Sequence, residues 1–116
     1  MPYLKILTNV AISEEQTESL LARCSQQLST ALNKSEDYIM LSHEVQPQMM
    51  FAGSADPLAY LELKSIGMTD ADTPALSQLL SSILSEYLGV VPNRVYIEFS
   101  ASPRGLWGFN GKTLAG

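Results

Sequence analysis

The chain has 116 residues, 46% of them hydrophobic and 16% charged, which fits a single globular domain with its own core. A net charge of −5 argues against nucleic acid or an anionic membrane as a partner, and no apolar run is long enough to span a bilayer. The only cysteine, Cys24, excludes an internal disulfide and a CxxC metal or redox site. No signal peptide is recognisable, so we expect a cytoplasmic protein.

The first half of the chain has the pattern of a strand, a helix and a second strand. Residues 2–8, "PYLKILT", are rich in Leu, Ile and Tyr and predict the first strand. A helix is predicted next, because Ser13 and Gln16 form a capping-box pattern and apolar residues then recur at helical spacing. Asn33 can close this helix in a left-handed conformation. "DYIMLSHEV" at 37–45 predicts the second strand, because apolar residues alternate along it.

The second half repeats this order. "LAYLELKSI" at 58–66 predicts a third strand and "RVYIEFS" at 94–100 a fourth. Between them, "TDADTPALSQLLSSILSEYLG" predicts a helix that ends at Gly89. Its candidate capping residues are Asp70, Asp72 and Thr73. In the glycine-rich tail, Asn110 and Gly111 are typical of a hairpin turn.

The strand–helix–strand order therefore occurs twice, over roughly residues 2–46 and 57–101, with a tail at 102–116. Each half can form a right-handed crossover with a parallel strand pair. We expect an α/β fold of the two-layer α+β kind, with one four-stranded sheet and both helices on one face. Residues 1–116 are expected to form one domain. Ferredoxin-like folds also contain split crossovers, so the pattern alone leaves that fold open.

The sheet face away from the helices has a mixed character. Its predicted residues are Lys5, Tyr60, Glu62, Lys64, Tyr96 and Glu98. A monomer could leave this face in water, whereas a ring of subunits could curl their sheets around a central solvent channel. The aromatic residues on this face are typical of an interface.

Several enzyme classes lack their sequence motifs. The chain contains no GxSxG nucleophile elbow, no P-loop and no dinucleotide-binding fingerprint. Its one histidine, His43, lies on the apolar face of a predicted strand, and one histidine does not make a metal site. We therefore expect His43 to be structural, and we expect no metal and no cofactor.

The proline behind the initiator methionine has a chemical use. Methionine aminopeptidase generally removes Met1 before proline, which would leave Pro2 with a free secondary amine. Burial and a nearby lysine would lower the pKa of this amine from about 7.7–8.0, the range of ordinary α-amino groups. A neutral amine near physiological pH can act as a general base. Two alternatives remain: Pro2 is simply the start of an edge strand, or Met1 is retained and Pro2 is an amide that cannot act as a base.

Five segments resemble one known family when taken together: "MPYLKILTNV", "FAGSADP", "KSIG", "RVYIEF" and "GFNGKTLA". In this order they are similar to the macrophage migration inhibitory factor family of the tautomerase superfamily, from Pro2 to Ala115. The resemblance implies a homotrimer of paired βαβ units with active sites between subunits. It also implies cofactor-free keto–enol tautomerisation of phenylpyruvate-type 2-oxo acids and dopachrome-like substrates. Animal-type motifs are missing, which suggests a divergent member such as a microbial one.

The resemblance assigns roles to individual residues. Pro2 matches the catalytic base, and Lys34 matches the lysine that binds the substrate carboxylate. Tyr38 matches an aromatic residue at the pocket rim, and Tyr96 a tyrosine contributed by a neighbouring subunit. Without the resemblance, Lys34 is a solvated lysine at a helix end and Tyr96 is part of a subunit interface.

Further matches concern the pocket walls, where the chain also departs from the family pattern. Ile66 matches a residue that lines the pocket through its backbone and its apolar side chain, with Ser65 beside it. A position in the core of the strand explains Ile66 nearly as well. Glu98 stands where an asparagine is usual, so a carboxylate would repel an anionic substrate there. Phe109 aligns with the tryptophan of the pocket, and Trp107 lies two residues earlier. We expect Phe109 and Trp107 to form an aromatic wall of the pocket whose shape differs from that in the family.

Two functions outside catalysis remain as alternatives. The chain could be a cytokine-like trimeric binding protein with a vestigial active site, or a structural trimer. The thiol-redox CxxC of the animal proteins is absent, since "DPLAYL" occupies that stretch. The charged pair used for chemokine-receptor mimicry also has no match, with Ala11 or Ile12 at one place and Gln46 at the other. Where members of this family leave the cell, they do so without a signal peptide.

Overall fold

The computed structural model describes all residues, 1–116. The principal elements in chain order are β1 (Tyr3–Thr8), α1 (Glu14–Leu32), β2 (Met40–Val45), β3 (Ala59–Lys64), α2 (Thr73–Leu88), β4 (Val95–Ser100), β5 (Gly108–Phe109) and β6 (Lys112–Thr113). β1 to β4 form one four-stranded sheet, and β5 and β6 form a separate two-stranded hairpin. Neither helix is both long enough and apolar enough to cross a membrane.

The four-stranded sheet has the order β2-β1-β3-β4. β1 pairs in parallel with β2, and β3 pairs in parallel with β4. The two halves meet along β1 and β3, which are antiparallel, with Leu4 opposite Leu63 and Ile6 opposite Leu61. The predicted fold class is confirmed: two crossover units share one mixed sheet with the helices packed on it.

The core lies between the sheet and the two helices. Leu4, Ile6, Leu61 and Leu63 alternate along the two central strands and are all 0% exposed. Both helices place a stripe of apolar side chains on this face; the buried members are Leu20, Cys24, Leu28, Leu76, Leu80, Ile83, Leu84 and Leu88. The opposite sheet face is left uncovered in the chain, because both helices pack on the same side.

The first helix begins and ends where the sequence predicts. Ser13 Oγ accepts a hydrogen bond from the Gln16 N–H at 3.1 Å, and Gln16 Oε1 accepts one from the Ser13 N–H at 3.0 Å. Asn33 closes the helix with φ 54° and ψ 49°. Gly89 ends the second helix with φ 68°, a conformation that glycine adopts without steric cost.

The start of the second helix differs from the prediction. Asp70–Asp72 form a short 3₁₀ turn before it, and Asp72 makes no side-chain hydrogen bond to the helix. The Asp72 carboxylate instead accepts a hydrogen bond from the Thr69 N–H at 2.9 Å. The Asp72 N–H donates in return to the Thr69 carbonyl at 3.0 Å, so these two residues stabilise the 3₁₀ turn. This turn takes the place of the side-chain cap that was expected at the start of α2.

The second strand is shorter than predicted. Residues 36–38 form a 3₁₀ turn, and the strand begins at Met40. Ser35 stabilises the turn, because its Oγ accepts a hydrogen bond from the Asp37 N–H at 3.2 Å. Tyr38 therefore lies outside the sheet and beside its end. This correction places Tyr38 before the first residue of β2 and not within the strand.

Candidate active site

A cavity of about 400 Å³ opens at the amino terminus, where β1 begins. Its principal lining residues are Pro2, Tyr38, Ile39, Met40, Trp107 and Phe109. Pro2 has less than 2% of its surface exposed, and its carbonyl accepts a hydrogen bond from the Met40 N–H at 3.0 Å. The first strand pair thus fixes Pro2 at the base of a mostly apolar cavity.

The aromatic wall of this cavity comes from two distant parts of the sequence. The rings of Tyr38 and Phe109 meet edge to face, with centroids 5.7 Å apart and planes at 82°. Asn110 and Gly111, with φ 55° and 75°, form the tight turn that joins β5 to β6, as predicted. Folding of this hairpin beside the 3₁₀ turn brings the ring of Phe109 against that of Tyr38.

The electrostatic environment disfavours a positive charge on the terminal amine. Desolvation lowers the pKa of the amino group at Met1 below its usual value, and the positive charges of Lys34 and Arg104 lower it further. Pro2 is one residue further inside and almost fully buried. After removal of Met1, the amine of Pro2 would stand in the same cavity.

Lys34 directly follows the residue that closes α1. Its N–H donates to the Ser29 carbonyl at 3.1 Å, and Ser29 Oγ donates to the Lys34 carbonyl at 2.5 Å. The side chain runs towards the end of β3, where Nζ donates to the Ile66 carbonyl at 3.4 Å. The left-handed Asn33 and the Ser29 hydroxyl therefore aim Lys34 away from the helix.

Ser65 and Ile66 line a second hollow of about 330 Å³, which Lys34 also borders. Ser65 is 1% exposed, and its N–H donates to the Ser100 carbonyl at 3.0 Å. Gly67, with φ 82°, turns the chain directly after Ile66. The structure thus places Lys34 and Ile66 in contact. It divides the predicted site between this hollow and the cavity at Pro2.

Tyr96 and Glu98 lie on β4, which is separated from β2 by the two central strands. Tyr96 is 65% exposed and packs on Phe51, with ring centroids 4.6 Å apart. Glu98 Oε2 accepts a hydrogen bond from the Tyr60 hydroxyl at 3.3 Å, and Glu62 Oε1 accepts one at 3.1 Å. Desolvation and the two carboxylates raise the pKa of Tyr60 to about 12. Within one chain these residues do not join Pro2.

Two further ionisable groups lie away from the cavity, the half-buried His43 and the buried Cys24. His43 has an Nε2 atom that is buried without a hydrogen-bond partner, and burial lowers the pKa of its imidazole. Burial raises the pKa of the Cys24 thiol to about 12. Both groups are thereby held in their uncharged forms near neutral pH.

Sequence reasoning missed three residues near the amine. Ile39 and Met40 line the cavity. The indication in the sequence was that both directly follow Tyr38, which was already a candidate pocket residue. The third is Arg104, three residues before Trp107, whose charge acts on the terminal amine. The only available signal was an arginine in the short segment "SPRGLWGF" beside an aromatic wall residue.

Comparison with known proteins gives concordant results from sequence and structure. Residues 1–115 match the family model described as Macrophage migration inhibitory factor (MIF). The macrophage migration inhibitory factor of Meriones unguiculatus is 38% identical over 117 residues, covering 99% of this chain and 100% of that protein. A macrophage migration inhibitory factor homolog of Brugia malayi is 33% identical, covering 98% of this chain and 99% of that protein.

Solved structures of similar proteins superimpose over nearly the whole chain. The homologue from Prochlorococcus marinus has a TM-score of 0.91 at 34% identity and covers 97% of this chain and 98% of its own. The Toxoplasma gondii protein has a TM-score of 0.88 at 28% identity, with coverage of 96% and 98%. The full-length match in sequence and in fold shows that this chain belongs to the macrophage migration inhibitory factor family.

Proposed function

We propose that this protein is a cofactor-free keto–enol tautomerase of phenylpyruvate-type 2-oxo acids and dopachrome-like substrates. Its general base is the amine of Pro2, set free by removal of Met1. The observation that carries this proposal is the environment of the amino terminus. A buried proline directly precedes β1 in an aromatic cavity, and desolvation and two cations lower the pKa of the terminal amine.

The reaction needs only proton transfers. The Pro2 nitrogen takes a proton from the carbon next to the keto group, and the C–H electron pair becomes the C=C bond of the enol. Transfer of that proton to the carbonyl oxygen completes the enol and returns the amine to its neutral form. A lowered pKa keeps the amine unprotonated near neutral pH, as a general base requires.

The surrounding residues bind and orient the substrate in this proposal. Lys34 Nζ, which now donates to the Ile66 carbonyl, binds the substrate carboxylate, and Ser65 and Ile66 form the adjacent wall. Tyr38, Trp107 and Phe109 hold the aromatic ring of the substrate. A homotrimer supplies Tyr96 and Glu98 from a neighbouring subunit, which is why one chain leaves them apart.

A cytosolic location is part of the same proposal. Methionine aminopeptidase acts on nascent chains in the cytosol, and its action is what exposes the Pro2 amine. The one cysteine of the chain is a buried free thiol, as is usual for proteins of that compartment.

The decisive experiment is a phenylpyruvate tautomerase assay across pH, on protein whose amino terminus has been verified by intact mass. We expect activity governed by an amine whose pKa lies below that of a free proline. Pro2→Gly and a variant that retains Met1 should each lose about 100-fold or more in kcat/KM, the usual effect of removing a general base. Circular dichroism checks that both variants fold.

A Pro2→Gly variant that folds and keeps full activity would contradict the proposed base. Correctly processed protein without any turnover would favour a binding protein with a vestigial site, and Glu98 would then be the first residue to replace with Asn.

A further inference from the structure

One acidic side chain lies among the residues that line the cavity at Pro2. Asp37 borders this cavity, and every other side chain of its lining is uncharged. Lys34 borders the second hollow and not this one. The cavity at Pro2 therefore carries a negative charge to which the proposed tautomerase reaction assigns no role.

The position of Asp37 is fixed by the 3₁₀ turn before β2. Its N–H donates to Ser35 Oγ at 3.2 Å, and the Tyr38 N–H donates to the Ser35 carbonyl at 3.1 Å. The Ile39 N–H donates to the Glu36 carbonyl at 3.1 Å, which closes the turn. Two consecutive residues, Asp37 and Tyr38, thus bring a carboxylate and an aromatic ring to one cavity.

The Asp37 carboxylate has no partner within the chain. It accepts no hydrogen bond, and no lysine, arginine or amino-terminal nitrogen lies within 4.0 Å of it. Asp72 is the contrast, because its carboxylate accepts hydrogen bonds from the N–H and the hydroxyl of Thr69 at 2.9 and 3.1 Å. The Asp37 carboxylate is therefore available to a ligand that carries a positive charge.

The rest of the cavity suits the body of such a ligand. Three aromatic side chains line it: Tyr38, Trp107 and Phe109. The face of an aromatic ring carries partial negative charge and attracts cations. The chain uses this attraction elsewhere, since the guanidinium of Arg94 lies 5.5 Å from the centroid of Phe51, outside this cavity. The aromatic rings of the cavity hold no cation of the chain itself.

We propose that this cavity selects aromatic ligands that carry a protonated amine beside the ring, and that Asp37 sets the preference. The carboxylate accepts a charge-assisted hydrogen bond from the ammonium group, while the aromatic side chains bind the ring of the ligand and attract its charge. A carboxylate at the same place on the ligand would meet a like charge and bind more weakly. The preference concerns binding alone and requires no turnover.

A substrate class follows where the proposed function also holds, and this step rests on that function. The class is an aromatic 2-oxo acid whose ring bears a protonated aminoalkyl group. Asp37 attracts the ammonium group of such a substrate and repels its carboxylate. The charge of Asp37 therefore favours the orientation in which the ring, and not the 2-oxo acid, lies beside this residue.

Binding of two small aromatic probes tests the preference without a reaction. Benzylamine, which is protonated near neutral pH, and benzyl alcohol have nearly the same shape and differ in charge. We would titrate each into processed protein and follow the indole signal of Trp107, the only tryptophan, by NMR. Because Asp37 is exposed, we expect benzylamine to bind about fivefold more tightly than benzyl alcohol.

Three variants separate the charge of Asp37 from a general effect. Asp37→Asn should lose most of the preference while binding benzyl alcohol as before, and Asp37→Glu should keep part of it. Glu36→Gln removes an equal charge from the preceding residue, which does not line this cavity, and should keep the whole preference. An equal loss of affinity for both probes in Asp37→Asn would indicate a purely structural role and overturn the inference.

Two other outcomes would also overturn it: a wild-type protein that binds the two probes equally, or an Asp37→Asn variant that keeps the full preference. Failure of the proposed function gives a different result. A protein that prefers benzylamine through Asp37 but does not tautomerise phenylpyruvate would keep this binding site and lose the tautomerase assignment. An active tautomerase without the preference would lose only the role of Asp37.

Discussion

At the scale of single residues, the position of Lys34 depends on the end of a helix. A lysine at this point of a free helix would extend into water, where its charge is well solvated. Here the left-handed Asn33 turns the chain, and the hydrogen bonds with Ser29 hold the Lys34 backbone. The half-buried ammonium then reaches the Ile66 carbonyl, which is a weaker partner than a carboxylate. An incoming carboxylate can therefore displace this contact.

Replacement of Lys34 by Ala should raise KM for phenylpyruvate at least tenfold and change kcat less. A charged hydrogen bond contributes about 1.5–3 kcal/mol, and this one would be made to bound substrate. Loss of the positive charge should also raise the pKa of the terminal amine, so the basic form that catalyses would appear at higher pH. Steady-state kinetics from pH 5 to 9 measure both effects.

Lys34→Arg serves as the rescue, since it keeps the charge at this place, and Arg23→Gln as the remote control. Unchanged KM in a folded Lys34→Ala protein would exclude Lys34 as the carboxylate-binding residue. An unchanged pH profile would exclude its effect on the amine.

At the scale of elements, two side chains hold the long connection between β2 and β3. Asn9 accepts a hydrogen bond from the Leu58 N–H at 3.0 Å and donates to the Ala55 carbonyl at 2.9 Å. Arg94 donates to the carbonyls of Phe51, Ser54, Asp56 and Pro57 at 3.0–3.1 Å. Its guanidinium also lies over the Phe51 ring, which packs on Tyr96. The segments "TNV", "FAGSADP" and "RVYIEF" thus form one structural unit.

Replacement of Arg94 by Ala should lower the free energy of unfolding by about 2 kcal/mol, because four backbone carbonyls lose a charged donor. Arg94→Lys should recover only part of the loss, since a lysine lacks the planar fork that reaches several carbonyls. Urea denaturation followed by fluorescence measures both variants. A loss no larger than that of Arg23→Ala would show that the loop holds its conformation without Arg94.

At the scale of the whole molecule, the sheet order separates the candidate site residues. The cavity at Pro2 adjoins β1 and β2, and Tyr96 lies on β4 at the far edge, with β1 and β3 between the two edge strands. One chain cannot bring Tyr96 to its own Pro2 while this sheet stays intact. We therefore expect a second copy to supply Tyr96, with the open sheet face and the exposed Tyr96 as the surfaces available for contact.

Mixing of two inactive variants tests this arrangement. Pro2→Gly and Tyr96→Ala homomers should each lose at least tenfold in activity. After they are unfolded and refolded together, some sites will combine an intact Pro2 with an intact Tyr96 from another subunit. We expect activity to rise above that of either parent, and analytical ultracentrifugation should show trimers.

Equal activity of the mixture and its parents, with trimers present, would place both residues in the same subunit or remove Tyr96 from the site. A monomeric protein with full activity would contradict the shared site altogether.

The predictions from the sequence succeeded where local rules decide the structure. The capping box at Ser13, the left-handed Asn33 and the hairpin turn at Asn110 are local patterns, and all three are confirmed. They failed at Tyr38 and at the start of α2, where a short 3₁₀ turn competes with the expected element. Such turns have no periodicity that distinguishes them from the first residues of a strand or helix.

Local patterns were enough to predict the two crossover units and the apolar faces of the core, because hydrophobic periodicity acts over neighbouring residues. Which side chains meet depends on the tertiary structure. It brought Tyr38 to Phe109 and Lys34 to Ile66. It also placed Tyr96 beyond reach of Pro2 within one chain. Strand order, and the packing of residues 102–116 beside the amino terminus, depend on contacts between residues that are distant in the sequence. No local pattern encodes such contacts.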